Sequence, residues 1–92
     1  MNKTELTERI AEQSEMNGKQ IAEVLNLALD AIQDAVAAGD KVTLPGFGTF
    51  EKRERAARTG RNPQTGETVD VPASSVPAFK PGKGFKARVK GE

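Results

Sequence analysis

The sequence predicts an α+β fold: two helices in the first half, antiparallel strands in the second, and a short closing helix. Three observations predict it. From Ile21 onward Val24, Leu25, Ala28, Leu29, Ile32, Ala35 and Val36 keep helical spacing for about four turns. After Gly39 the pattern becomes strand-like, punctuated by turn chemistry at Pro45-Gly46 and Asn62-Pro63. Residues 51–76 offer only Ala56, Ala57, Val69, Val71, Ala73 and Val76 as apolar side chains. That segment cannot bury a core, and it reads as a two-stranded basic arm.

Each element has a local cause. Over residues 2–15 Asn2 caps a first helix, Glu5 completes a capping box, and Leu6, Ile10 and Ala11 form the apolar stripe. Asn17 and Gln20 form a second cap pair that starts the long helix. Leu27 and Ala31 widen its apolar stripe, so it must be covered on more than one side, and Gly39 stops it. Lys41 to Leu44 is a strand, Pro45 to Gly48 a turn, and Thr49-Phe50 launches a second strand into the basic run. Asn62 to Gly66 turns the chain, and Glu67 to Val71 returns it. Pro72 and Pro77 donate nothing to a ladder, so the returning strand needs an open edge there. Lys83 to Lys90 reads as a short basic helix, against which Gly84 counts. The whole chain, 1–92, reads as one domain. Residues 1–40 form a helical dimerisation part, 41–50 and 77–82 the sheet body, 51–76 the arm, and 83–92 the short helix and tail.

Size argues for a partner copy. Without the arm only 66 of the 92 residues remain. A body that small buries about 60% of its unfolded surface and is marginal alone. The over-wide second helix and the phenylalanines at the root of the arm predict an obligate homodimer. Its shared core would be built from Leu29, Ile32, Leu44, Phe47, Phe50 and Phe79.

The formal net charge is only +1, but it averages two unlike halves. Residues 1–50 carry four basic and eight acidic groups; residues 51–92 carry ten basic and five acidic. The densest run, Lys52 to Arg61, holds five positive charges and one negative, Glu54. Such asymmetry points to a basic segment aimed at an anion. A solvated strand edge needs some charge, but not this excess, so the run reads as phosphate-binding. Arg53 and Arg55 share one strand face, Lys52 and Arg58 the other. That switch implies a bulge, a strong twist or contacts from both faces. Asn62-Pro63 is either a plain turn or an apolar wedge at the tip of the ribbon. Glu5, Glu8, Glu12 and Glu15 form a solvated face that repels nucleic acid from that side. Lys83, Lys86, Arg88 and Lys90 form either a second phosphate-contacting patch or a solubilising one.

Other chemistries are excluded by what is missing. The chain has no Cys, His, Trp or Tyr. That removes thiolate and imidazole metal sites, disulfides, and most general bases and nucleophiles. No metal, no cofactor and no enzymatic activity are expected. Gly46-Phe47-Gly48 starts a nucleotide-loop pattern that fails at Glu51. It also fails as an RNA-recognition strand, because Phe47 and Phe50 are three apart and on a regular strand would face opposite ways. Both phenylalanines read as core. No signal-peptide-like or membrane-spanning run is visible, which fits a cytoplasmic protein.

Gly46-Phe47-Gly48-Thr49-Phe50, Arg55, Arg58, Gly60-Arg61-Asn62-Pro63, Thr65-Gly66 and Pro77-Ala78-Phe79-Lys80-Pro81-Gly82-Lys83 resemble the bacterial HU/IHF histone-like proteins. The resemblance runs the length of the chain. It implies an intertwined homodimer on a helical base, with a short three-stranded antiparallel sheet extended into protruding β-ribbon arms. The arms would enter the minor groove of double-stranded DNA, with Pro63 inserting at kinks beside Arg61 and Asn62. Lys52, Arg53, Arg55 and Arg58 would line each arm, while Lys3, Lys80, Lys83 and Lys86 would meet DNA along the body. Little side-chain readout is visible on the arm. The resemblance is therefore closer to HU, with non-specific binding in the nucleoid and a preference for nicked, gapped or kinked duplex. A site-specific bender of the IHF kind and an RNA-binding module are the rivals.

Overall fold

The computed structural model describes residues 1–91. The chain divides into two compact units, Met1–Asp34 and Ala35–Glu92.

The first unit is helical. Helix α1, Lys3–Glu12, begins where Asn2 Oδ1 accepts the Glu5 N–H at 2.8 Å. It stops short of the expected residue 15. Ser14 Oγ takes the Met16 N–H at 3.3 Å, and Asn17 caps the next helix. Helix α2 spans Gly18–Ala37 and opens on a reciprocal capping box. Asn17 Oδ1 accepts from the Gln20 N–H at 2.8 Å, and Gln20 Oε1 accepts from the Asn17 N–H at 3.3 Å. At the other end Gly39 adopts φ 96°, and the Gly39 and Asp40 N–H groups reach back to the carbonyls of Val36 and Ala35. That is a Schellman stop, and it needs a residue free to enter the left-handed region.

The second unit holds the strands β1 (Val42–Leu44), β2 (Gly48–Arg55), β3 (Arg58–Arg61), β4 (Thr68–Val71) and β5 (Ser74–Pro81), then α3 (Lys83–Lys90). The main sheet is antiparallel in the order β1-β2-β5. β1 covers β2 only from Gly48 to Phe50. Beyond Phe50 the ladder is two-stranded, from Glu51 opposite Ala78 to Arg55 opposite Ser74. It lapses for two residues on each strand and resumes from Arg58 opposite Val71 to Arg61 opposite Thr68. The break is symmetric, so no extra residue is inserted; of the three alternatives for the arginine run, the bulge is excluded, leaving twist or contacts from both faces. Pro72 lies in the break. Pro77 lies in β5, an edge strand, where its missing N–H leaves no gap in the sheet interior.

Four phenylalanines gather at the root of this ladder. The Phe50 and Phe79 rings, directly paired, are 4.8 Å apart. Phe47 lies 5.5 Å from Phe79 and 6.4 Å from Phe50, and Phe85 lies 5.3 Å from Phe47. The opposite-face expectation for Phe47 and Phe50 does not apply, because Phe47 closes the turn before β2. Its N–H bonds to Leu44 O at 2.9 Å, with Gly46 at φ 81°.

Helix α3 forms despite Gly84, and Gly84 has a reason. A Cβ there would stand 2.9 Å from Gly46 O. The glycine lets α3 sit on the turn, with the Phe85 N–H donating to Gly46 O at 3.0 Å and the Gly82 N–H to Phe47 O at 2.9 Å. Among the described residues the buried hydrophobic side chains are Ile21 and Val36 alone. Of the expected core residues, Ile32 and Phe50 are half-buried, while Leu29, Leu44, Phe47 and Phe79 are each 38–46% exposed.

Candidate nucleic-acid interface

The ladder sorts the basic residues by face. Alternation puts Glu51, Arg53 and Arg55 on one face of β2, and Lys52 and Glu54 on the other. On β3 Arg58 shares a face with Gly60, and Arg61 with Thr59. All five cations are exposed. The dissonant Glu54 is not idle: it faces Ser75 across the ladder and accepts its hydroxyl at 2.7 Å. Near Gly60 the ribbon stays thin. A Cβ there would lie 3.5 Å from Val71 Cγ2 and 4.0 Å from Arg58 Nη1, so the arginine head lies close over the glycine.

The tip closes through its backbone. The Asn62 N–H donates to Glu67 O at 2.8 Å, and the Gly66 N–H donates back to Asn62 O at 2.7 Å, with Gly66 at φ 74°. Asn62 Oδ1 accepts from the Gln64 N–H at 2.9 Å, an Asx turn. Pro63 is exposed and gives no hydrogen bond to this closure, so its ring is free for another contact. Both readings of Asn62-Pro63 thus meet in one loop: Asn62 makes the turn, and Pro63 stands out of it.

The remaining predicted residues lie outside the β2–β3 run and its tip. Lys80 lies on β5, Lys83 opens α3, and Lys86 is exposed on α3. Lys3 opens α1 in the helical unit and is exposed. The structure therefore brings Lys52, Arg53, Arg55, Arg58, Arg61, Asn62 and Pro63 into one ribbon.

One site escaped the sequence reading. Glu51 is buried, 8% exposed, and meets three cations: Lys80 Nζ at 3.0 Å, Lys41 Nζ at 3.6 Å and Arg53 Nη2 at 3.7 Å. The hydrogen bond from Lys80, aided by the charges of Lys80, Lys41 and Arg53, holds its carboxyl below the usual range against the opposing cost of desolvation. The sequence alone does not show it, because it depends on strand register. With Val42 paired to Phe50, the next step of the hairpin sets Lys41 against Glu51. Phe85 was also missed as a member of the aromatic cluster; its place depends on α3 folding back over the turn.

A thin antiparallel ribbon with cations on both faces and a bare proline at its tip defines a nucleic-acid-binding protein of the β-ribbon class. The comparisons make this particular. The family model described as "Bacterial DNA-binding protein" matches residues 1–90. DNA-binding protein HU 1 of Bacillus subtilis is 55% identical over 92 residues, all of both chains. DNA-binding protein HU of Geobacillus stearothermophilus is 57% identical over 90 residues, 98% of this chain and all of that one. The fold is similar to that of Anabaena HU in a cocrystal with DNA, with a TM-score of 0.90, 54% identity and 97% of each chain covered. The chain belongs to the bacterial DNA-binding protein family, on the HU side of it.

Proposed function

We propose that this is a histone-like architectural protein, not an enzyme, that binds and bends double-stranded DNA largely without regard to sequence. The observation that carries it is the ribbon from Glu51–Ala78 to the Pro63 tip. Its cations point outward, and past Glu51 it has no buried side chain. Such a surface supplies phosphate contacts, which give affinity but no base readout. In the minor groove Pro63 acts as the wedge: a rigid apolar ring without an N–H, inserted between base steps while Arg61 and Asn62 hold the backbone beside it. Lys3, Lys80, Lys83 and Lys86 meet DNA that wraps along the body.

The working form is an intertwined homodimer. Support comes from Leu29, Leu44, Phe47 and Phe79, which a single chain leaves exposed. A second copy covers them and sets two arms in symmetric positions. Nicked, gapped or kinked duplex binds better than intact duplex, because part of the unstacking cost is already met. The site of action is the cytoplasmic bacterial nucleoid.

The test is a salt-titrated binding curve on intact duplex, nicked duplex and duplex RNA. A steep salt dependence with nicked DNA bound tightest is the expected result. Strong discrimination against unrelated duplex in competition would replace this reading with site-specific bending of the IHF kind. Preference for RNA would overturn it.

A further inference from the structure

The sheet has two faces of opposite character. Phe50 and Phe79 lie on one; Thr49, Glu51, Arg53, Ala78 and Lys80 lie on the other. On that second face Glu51 is sunk to 11% side-chain exposure. The side chains of Lys41, Arg53 and Lys80 that meet it keep 70%, 51% and 61%. The cations form a roof over the carboxylate.

Three like charges converging on one point repel each other unless a counter-charge lies among them. Glu51 is that counter-charge, and its position beneath the cations leaves their outward sides open. An ammonium has three donors and a guanidinium five, more than one carboxylate takes from them. The cluster keeps two net positive charges, with unused N–H donors toward solvent.

We infer that Lys41, Arg53 and Lys80 form a phosphate-binding site on this face, with Glu51 as its positioning residue, and that the ligand is a backbone phosphate of the bound duplex. The inference rests on the DNA-binding reading above, and it adds Lys41 and Glu51 to the interface. In this role Glu51 raises affinity for an anion although it is itself an anion, by holding the three cations where one phosphate reaches them together.

The test reads affinity of the full-length protein for a short intact duplex across a salt series. Lys41→Gln flattens the salt slope by about one. Glu51→Gln keeps the side chain's shape and makes the protein more positive, yet weakens binding several-fold. Glu51→Asp keeps the charge on a shorter stem and retains the wild-type slope. A packing role predicts the reverse order for those two substitutions. Arg61→Gln on the ribbon is the control. Tighter binding with a steeper slope in Glu51→Gln would make the carboxylate a competitor and overturn the inference. So would unchanged slopes in Lys41→Gln and Glu51→Gln alongside a flattened slope in Arg61→Gln. If the wild-type protein binds the duplex with no salt dependence, the DNA-binding reading itself falls. Should Glu51→Gln fail to fold, Lys41→Gln decides alone, since its side chain is largely exposed.

Discussion

At its root the β2–β5 ladder pairs Phe50 with Phe79, and two further rings, Phe47 and Phe85, close over them at 5.5–6.4 Å. At its far end the β3–β4 ribbon pairs Arg58 with Val71 and Arg61 with Thr68, and Val69 is left 47% exposed. The backbone pairing is the same, but the side chains do opposite work. The root converts aromatic area into stability. The ribbon holds itself by backbone hydrogen bonds and a tight tip, which leaves its side chains free for a ligand at the cost of being marginal alone. On the proposed function, stability and binding are thus separated along one hairpin, with the symmetric break at Ala56-Ala57 and Pro72-Ala73 inside the ribbon.

That separation can be broken at the root. Phe79→Ala removes a ring whose centroid lies 4.8–6.1 Å from each of the other three, and is expected to cost about 3 kcal/mol of unfolding free energy. Urea unfolding at fixed protein concentration measures it, and a loss below about 1 kcal/mol would mean the cluster is not the stabilising element. Gly48→Ala comes next, at about 1–3 kcal/mol. Its added Cβ would lie 2.5 Å from the Phe79 ring and 2.7 Å from Lys80 O, against backbone that cannot move aside.

The ribbon should behave the other way. Neutralising Arg55 and Arg58 together is expected to shift stability by less than about 0.5 kcal/mol and to flatten the salt slope of DNA binding by about 2. A large loss of stability would show that the two ends are not separate. Pro63→Ala is narrower still. Dimer and affinity are largely kept while bending falls, read by fluorescence transfer between duplex ends; an unchanged bend angle removes the wedge. The smallest effect concerns acid. Because the Glu51 carboxyl is held below its ordinary value, its contribution is complete above the unfolded-state value and is lost as pH falls through the lower folded value. Glu51→Gln should therefore lose stability less steeply than the wild type over that acid window, as followed by circular dichroism.

Much of this was legible locally. Asn2, the Asn17/Gln20 pair, Gly39 and the Pro45-Gly46 turn each announce their element, because caps and turns are decided by residues within four positions of each other. The ribbon was legible for a negative reason: a long segment without large apolar side chains has nothing to bury. The symmetry of the break was not legible, because alternation along one strand cannot reveal how many residues the partner strand skips. Gly84 misled for a related reason. Helix propensity counts against it, whereas the Gly46 carbonyl that requires it lies across the fold.

By itself, then, the sequence determined the α+β order of elements, the division of charge between the halves, the basic ribbon and its proline tip. These depend on composition and short spacing. Only the tertiary structure decided that Phe85 joins the other three rings, that α3 rests on the turn through Gly82 and Gly84, and that Lys41, Arg53 and Lys80 converge on Glu51. The physical reason is common to all three. Each depends on contacts beyond one element's own sequence: the first two on α3 docking back on the Gly46-Phe47 turn, the third on strand register, which is a property of paired strands rather than of either one.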